Sequence, residues 1–254
     1  MPQKRQSTLG NTVIGHNVDR MTLACHVTQQ GTAFVTPLVE KKVIPKQAPR
    51  CMTTALAARK MELRDQRQIL RLLLEATPVI PAVRSPESLA EAVRAQGKIV
   101  YFLCGDPELL PEMTKVVRDA GKIAFVNLDL VQGLTRDATA VAYLAHHGIG
   151  GIASTHQDPL CAARSSGLFT IDRTFLLDSA GLQTALRWID RTQQDAVEVL
   201  PAVVAPHLVR QLRDPSRDIP VMAGGLINTF REIEELRAQG VISVTVSNTA
   251  LWLP

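Results

Sequence analysis

The feature that most constrains the fold is a repeat in which short apolar runs alternate with longer stretches that carry apolar residues at helical spacing. Alternating strand and helix patterns indicate parallel βαβ units, and eight such units close into a barrel. Eight runs follow one another along the chain: Val79–Val83, Ile99–Leu103, Ile123–Leu128, Gly151–Ala153, Leu168–Ile171, Ala196–Leu200, Pro220–Ala223 and Val241–Val246. The sequence therefore predicts an α/β fold, a small (β/α)8 barrel of the TIM type. A further helical pattern over residues 61–75 either covers the gap beside the last unit or closes the bottom of the barrel.

Residues 1–60 differ from the rest of the 254-residue chain in charge and in pattern. They contain nine lysines and arginines and two carboxylates, against 19 and 22 in the remainder. No period is sustained, although a short hairpin with strands Leu23–Val27 and Ala33–Val35 is predicted. We predict a basic, poorly ordered extension over residues 1–60 and a barrel domain over residues 61–254. The extension either contacts nucleic acid or is a solvated tail, which is the commoner case.

Composition restricts the class of protein. No apolar run is long enough to cross a bilayer, and the polar N-terminus lacks the apolar centre of a signal peptide. Four cysteines are scattered without a Cys-x-x-Cys pair, which fits a reducing compartment and argues against a structural zinc site. They are Cys25, Cys51, Cys104 and Cys161. The sequence predicts a cytoplasmic protein that does not bind a membrane.

The last two apolar runs end in residues with almost no side chain. The run at Pro220–Ala223 stops at Gly224 and Gly225, and the last run stops at Ser247 and Asn248. In a (β/α)8 barrel, the loops after the last two strands commonly bind phosphate through backbone N–H groups. A tight turn is the other interpretation of paired glycines. The pattern predicts a phosphate site formed by these four residues.

Charged residues stand at the ends of other predicted strands. Arg84, Asp129 and Arg173 follow three of the runs closely, and Glu198 lies inside a fourth. The planar fork of arginine can hold a phosphate through two hydrogen bonds, and carboxylates accept hydrogen bonds from hydroxyls. The four side chains therefore suit a small phosphorylated polyol. The alternative is that they form ion pairs that fill the mouth of the barrel.

Signals for catalysis are weaker than those for binding. No lysine lies at a strand end, which argues against a Schiff-base aldolase. Asp129 and Glu198 have the chemistry of a general acid and base, but nothing in the sequence fixes their separation. The histidines have no partner at metal-ligand spacing. The sequence thus predicts no catalytic set, no metal site and no cofactor.

Three large apolar residues are adjacent near the predicted rim, at Phe175, Leu176 and Leu177. One interpretation, which we favour, is that they pack over the neighbouring helix. The other is that they form a patch for a protein partner or for a second subunit of a homo-oligomer.

Seven segments occur in order between about Thr77 and Trp252: VIPAVRSPE, AFVNLDLVQGLTRD, GGIASTH, TIDRTFLLDSAGL, EVLPAVV, VMAGGLINT and VTVSNTALW. Together they resemble the glycerol-3-phosphate-responsive antiterminator family, bacterial regulators of glycerol uptake operons. The resemblance implies a phosphate-binding barrel that senses sn-glycerol 3-phosphate as an effector, binds leader mRNA and lets polymerase read through a terminator. It also implies a phosphate on the residues Gly224, Gly225, Ser247 and Asn248, with the rest of the pocket lined by Arg84, Asp129, Arg173 and Glu198.

The chain departs from the family pattern at three positions near the rim, which bears on ligand preference more than on fold. Ala202 stands where glycine is expected, Asp172 where a neutral polar residue is usual, and Asn127 where histidine is common. The resemblance does not reach residues 1–60. RNA binding follows from the resemblance alone, because aromatic residues make up only 4% of the chain and none are interleaved with basic residues.

Three hypotheses result. The leading one is a non-enzymatic, glycerol-3-phosphate-responsive RNA-binding transcription antiterminator that regulates genes of glycerol uptake and metabolism. The alternative is a TIM-barrel enzyme that acts on a small phosphorylated polyol or sugar. A third is a sensor of a phosphorylated ligand that acts through a protein partner. Binding to a leader RNA that the ligand strengthens separates the first hypothesis from the others.

Overall fold

The structure, a computed structural model, describes residues 66–191, 193–212 and 218–252, together with two strands nearer the N-terminus. These strands, β1 (Leu23–Val27) and β2 (Ala33–Pro37), pair antiparallel and confirm the predicted hairpin. The rest of the predicted extension lies outside the described residues, so its disorder stays a prediction. The chain divides into two compact units, Met1–Cys51 and Met52–Pro254.

The second unit contains a closed barrel of eight parallel strands in which each strand pairs with the next and the last pairs with the first. The predicted (β/α)8 fold is therefore confirmed. The strands are β3 (Val79–Val83), β4 (Ile99–Phe102), β5 (Ile123–Asn127), β6 (Gly151–Ser154), β7 (Phe169–Phe175), β8 (Ala196–Leu200), β9 (Val221–Gly224) and β10 (Ser243–Val246).

Helices follow the strands, and side chains cap the first turns of α4 (Ala138–His146) and α8 (Phe230–Ala238). Asp137 accepts hydrogen bonds from two backbone N–H groups at the start of α4, and Thr229 and Glu232 form a capping box at the start of α8. Within the described residues, no helix has both the length and the apolar character that crossing a membrane requires. The helices are α1 (residues 66–75), α2 (Leu89–Ala92), α3 (Leu109–Asp119), α4 (Ala138–His146), α5 (Gln157–Ser165), α6 (Ser179–Arg191), α7 (Ala205–Gln211) and α8 (Phe230–Ala238).

Strand β7 is longer than predicted and carries polar residues into the barrel wall. The apolar pattern ends at Ile171, but pairing with β8 continues through Asp172, Arg173 and Thr174 to Phe175. Successive side chains of a strand point to opposite faces, so Arg173 faces the barrel interior, as Ile171 does, and Asp172 faces outward. The sequence pattern missed this extension because the added residues are not apolar.

Helix α1 closes the end of the barrel at which the strands begin. Leu70 and Leu74 are fully buried and pack with the inward-facing core of the barrel. Gln66 Nε2 donates to the carbonyl of Leu168 at 2.8 Å, which fixes the helix beside the start of β7. Of the two roles predicted for the 61–75 pattern, the structure assigns closure of the barrel bottom.

Candidate functional site

Two successive layers of inward-facing side chains form the floor of the barrel mouth, at the carboxyl ends of the strands. In a (β/α)8 barrel, each layer takes one residue from every other strand. Strand register places the lower layer on the even-numbered strands and the upper layer on the odd-numbered strands. The lower layer consists of Tyr101, Ala153, Glu198 and Thr245, and the upper layer of Ala82, Asn127, Arg173 and Gly224. Because two members of the upper layer are small and two are polar, it does not form an apolar plug.

Glu198 lies in the lower layer and is a buried carboxylate with three donors. Its side chain is 1% exposed. Oε2 accepts hydrogen bonds from the Tyr101 hydroxyl at 3.1 Å and from Arg173 Nε at 3.1 Å, and Oε1 accepts from Thr245 Oγ1 at 2.6 Å. Burial, together with the neighbouring Glu198 charge, holds the pKa of Tyr101 well above its ordinary value, so the phenol stays a donor. The network offsets the several kcal/mol, in order of magnitude, that an unpaired buried charge costs.

Two arginines at the mouth each make one side-chain hydrogen bond, through Nε, to the described residues. Arg173 Nε donates to Glu198, and its guanidinium carbon lies 5.6 Å from the centre of the Phe175 ring. Arg84 Nε donates to Ser247 Oγ at 2.9 Å, which joins the loop after β3 to the loop after β10. Among the described residues, none accepts a hydrogen bond from Nη1 or Nη2 of either arginine. Both planar forks are therefore oriented and available to an anion.

The turn after β9 has a bare backbone for a steric reason. A Cβ added at Gly224 would lie 2.4 Å from Thr245 Oγ1 and 2.8 Å from Glu198 Oε1, so only glycine fits against the lower layer. Gly225 and Leu226 both have positive φ, at 81° and 61°. Two consecutive residues of positive φ make a tight turn at the carboxyl end of β9, and its first residue has no side chain to cover the backbone. The left-handed backbone of Leu226, whose side chain is 78% exposed, left no signal in the sequence.

Asp129 is engaged in a hydrogen-bond network between the loops after β5 and β6. Oδ1 accepts from Ser154 Oγ at 2.6 Å, and Oδ2 accepts from the backbone and hydroxyl of Thr155 at 2.7 and 2.9 Å. Arg136 Nε and His156 Nδ1 each lie 3.3 Å from Oδ1. Burial acts to raise the pKa of Asp129, but the hydrogen bonds outweigh it and leave the pKa below its ordinary value. No hydrogen bond or ion pair joins Asp129 to the other seven predicted site residues within the described ranges.

The other predicted site residues lie on β7 to β9 and in the loops after β3, β9 and β10, where contacts join them in two groups. Ser247 contacts Arg84, Arg173 contacts Glu198, and Gly224 packs against Glu198. Gly225 follows Gly224 directly. Asn248 directs its side-chain oxygen to the N–H of Ala250 and so begins the short helical turn after β10. Sequence reasoning missed Tyr101 and Thr245, because a tyrosine and a threonine inside apolar runs are usual in any strand.

The three departures from the family pattern occupy different places. Asp172 is 8% exposed and faces away from the mouth, so it bears on stability rather than on ligand preference. Burial raises the pKa of its carboxyl to about 6 against the opposing effect of a hydrogen bond with Gln157. Ala202 is buried and its N–H donates to the carbonyl of Gly225 at 3.2 Å. Asn127 is fully buried in the upper layer.

The apolar segment at the rim divides between the two predicted roles. Leu176 is buried, as packing over the fold requires, whereas Phe175 and Leu177 are 52% and 84% exposed. The favoured prediction of packing is therefore right for Leu176 alone. In the part of the chain that the structure describes, no group of three or more His, Cys, Asp and Glu side chains is placed to hold a metal ion.

A closed ring of eight parallel strands with helices behind it and a polar mouth makes this chain a (β/α)8-barrel protein. The family model of the glycerol-3-phosphate responsive antiterminator matches residues 79–252, and the chain belongs to that family. The resemblance carried by the seven sequence segments is therefore confirmed.

Relatives cover most of the barrel. Uncharacterized protein YgcP of Escherichia coli (strain K12) is 29% identical over 181 residues, which span 71% of this chain and 94% of YgcP. The crystal structure of a glycerol uptake operon antiterminator-related protein from Thermotoga maritima MSB8 matches with a TM-score of 0.63 and 29% identity, over 69% of this chain and 98% of that one. The glycerol uptake operon antiterminator regulatory protein from Listeria monocytogenes str. 4b F2365 matches with a TM-score of 0.63 and 28% identity, over 68% and 94%.

Enzymes are also found among the structural neighbours, at much lower identity. Deoxyribose phosphate aldolase from Aeropyrum pernix matches with a TM-score of 0.54 and 12% identity, over 75% of this chain and 94% of the aldolase. At that identity the likeness concerns the fold alone.

Proposed function

We propose that the protein is a transcription antiterminator that binds sn-glycerol 3-phosphate as its effector and leader RNA as its target, and so regulates genes of glycerol uptake and metabolism. Family membership supports the regulatory class. The observation that carries the effector is the pair of oriented guanidinium groups, Arg84 and Arg173, at the mouth with the bare turns after β9 and β10; their terminal nitrogens have no acceptor among the described residues. No cofactor enters this proposal.

In the proposed complex the phosphate lies on the backbone N–H groups of Gly225, Ser247 and Asn248, near Gly224. The two arginines donate to its oxygens, because a guanidinium forms charge-assisted hydrogen bonds with phosphate. Glu198 holds Arg173 in place from below through the bond to Nε. Asp129 has less to offer a ligand, since both of its oxygens already accept hydrogen bonds.

The enzyme hypothesis finds less support at the mouth. No lysine lies at the carboxyl end of a described strand, which removes the usual Schiff-base nucleophile of barrel aldolases. Glu198 and Asp129, the two carboxylates proposed for acid–base chemistry, each accept several hydrogen bonds from the protein, so both oxygens of each are already occupied by donors. A regulator needs only to bind its ligand and release it unchanged.

Calorimetric titration of the full chain with sn-glycerol 3-phosphate, with glycerol as the control, tests the effector. We expect binding that requires the phosphate, and unchanged ligand in the cell afterwards by NMR. Gly225→Val should weaken binding by roughly tenfold or more, since backbone hydrogen bonds to a charged group are lost. Gly167→Val is the matched control, because Gly167 also has positive φ and open space but lies before β7, at the other end of the barrel. Absence of binding, or turnover of the ligand, would sink the effector proposal.

Gel-shift titration with the leader RNA of a glycerol uptake operon from the same genome tests the target. An effector that favours the RNA-bound state must itself bind more tightly when RNA is present, because the coupling free energy is reciprocal. We expect RNA affinity to rise with sn-glycerol 3-phosphate and to fall as salt increases. RNA affinity that is equal with and without the effector contradicts the proposal and favours a sensor that acts through a protein partner.

A further inference from the structure

Asn127 presents a buried donor that has no partner. The residue ends strand β5 and is fully buried. Its Oδ1 accepts a hydrogen bond from the backbone N–H of Asp129 at 3.0 Å, which fixes which end of the amide is oxygen. Among the described residues, none accepts a hydrogen bond from Nδ2. A buried donor without an acceptor is rare, because it loses its hydrogen bonds to water and gains none in return.

The unpartnered amide belongs to the upper layer at the floor of the mouth. Asn127 lies two residues beyond Phe125, which faces the interior, and its register partner Ala153 faces the interior as well. Alternation along the strand therefore turns Asn127 inward. The other members of its layer are Ala82, Arg173 and Gly224, so the amide belongs to the layer that forms the floor of the mouth.

The position of Asn127 relative to the proposed phosphate site is fixed by topology. Four steps around the ring of eight strands separate β5 from β9, so Asn127 lies across the barrel from Gly224. A ligand whose phosphate sits at the turns after β9 and β10 extends its other end over the floor toward β5. The nearby carboxylate of Glu198 already accepts from three donors. The ligand itself is then the source of the acceptor that Nδ2 lacks.

We propose that Asn127 Nδ2 donates a hydrogen bond to a hydroxyl oxygen of the ligand, at the end away from the phosphate. Asn127 is then the residue by which this chain selects hydroxylated phosphate esters over plain alkyl phosphates. This inference rests on the proposed function, since it takes the phosphate to lie at Gly224 and Gly225.

The test compares two esters that carry the same phosphate and the same number of carbons. The full chain is titrated calorimetrically with sn-glycerol 3-phosphate and with propyl phosphate, which has no hydroxyl. The wild type should bind sn-glycerol 3-phosphate at least about tenfold more tightly than propyl phosphate, because a site built to hydrogen-bond a hydroxyl rejects the analogue without it. In Asn127→Leu the ratio of the two affinities should fall to within about threefold of one, through loss of affinity for the hydroxylated ester.

A matched control separates this effect from the removal of any buried polar atom. Thr114 on α3 is fully buried, and its Oγ1 also has no partner among the described residues. Thr114→Val should therefore leave the ratio of affinities at its wild-type value. If Asn127→Leu does not fold, Asn127→Ala removes the amide without adding bulk and leaves no polar atom for a ligand hydroxyl. The ratio is again the readout, because a general loss of packing affects both esters alike.

The outcomes are distinguishable. If neither ester binds the wild type, the proposed function fails and this inference fails with it. If both esters bind the wild type equally, only the inference is overturned. If an Asn127 variant loses both affinities in parallel and keeps the wild-type ratio, Asn127 has a structural role and the inference is again overturned.

Discussion

The two ends of the barrel use the same residue types for different purposes. At the bottom, Arg67 donates to the carbonyls of Gln194 and Asp218, and Arg71 pairs with the Asp218 side chain. At the mouth, Arg84 and Arg173 make one side-chain hydrogen bond each and keep their forks free of acceptors from the described residues. The acceptors around an arginine therefore decide whether its guanidinium is used within the fold or keeps nitrogens that a ligand could use. The residues next to it in the sequence do not decide this.

Groups that cost stability are found at both ends of the barrel. Each end has a buried donor without a partner among the described residues (Arg67 Nε and Asn127 Nδ2) and a buried carboxyl of raised pKa (Asp195 and Asp172), and the mouth adds a leucine with positive φ. Functional sites commonly keep such groups at the expense of stability. We therefore expect substitutions at the bottom to destabilise the fold without affecting ligand binding, and some substitutions near the mouth to stabilise it.

The largest effect is expected from Leu74→Ala. Leu74 is fully buried between α1 and the interior of the barrel, so its truncation leaves a cavity and lowers the free energy of unfolding by about 3 kcal/mol. Urea denaturation without ligand gives the stability, and calorimetry with sn-glycerol 3-phosphate gives the affinity. The affinity should stay at the wild-type value. A large loss of affinity in a folded variant would show that the two ends are coupled.

Asp172→Asn is expected to stabilise the protein at neutral pH. The folded pKa of about 6 lies above the ordinary value, so the contribution of Asp172 to stability is present below about pH 4 and is lost as pH rises through 6. The variant should gain about 2 kcal/mol over the wild type at pH 8 and little at pH 4. Denaturation of both proteins across this range checks the difference. A gain that is the same at every pH contradicts an origin in the Asp172 charge.

Arg173→Ala and Arg67→Ala compare the arginines of the two ends directly. Arg173→Ala removes one of the three donors to Glu198, so we expect a loss of about 1.5 kcal/mol in stability together with weaker ligand binding. Arg67→Ala should lower stability by a similar amount through its two lost hydrogen bonds and leave the affinity unchanged. Denaturation and calorimetry on both variants provide the comparison. Equal loss of affinity in the two would remove the distinction between the ends.

The smallest effect is expected from Leu226→Asn. A left-handed backbone is less strained for asparagine than for leucine, and the side chain is exposed, so stability should rise by about 0.5 kcal/mol. Differential thermal denaturation detects a change of this size. A decrease instead would mean that the leucine side chain makes a stabilising contact that outweighs the backbone strain.

The sequence predicted the fold and the bare turns after the last two strands well, because both depend on local patterns. Each apolar run of strand length, and the residue that ends it, can be recognised from its own short segment of sequence. Interpretation failed at β7, where Asp172 and Arg173 continue the strand because β8 pairs with them. For Asp129, whose place in the pocket stays a prediction, no local pattern indicated the hydrogen bonds from Ser154 and Thr155.

The sequence alone was sufficient to predict a barrel of eight β/α units, bare turns after the last two strands and charged residues at strand ends. Only the tertiary structure decided which polar atoms have partners. Tyr101 reaches Glu198 across 97 residues of sequence, and Arg84 reaches Ser247 across 163. Hydrogen bonds act over about 3 Å and require both groups to be placed at once. Closure of the barrel alone decides that, among the described residues, Glu198 has three donors whereas Asn127 Nδ2 and the terminal nitrogens of Arg84 and Arg173 have no acceptor.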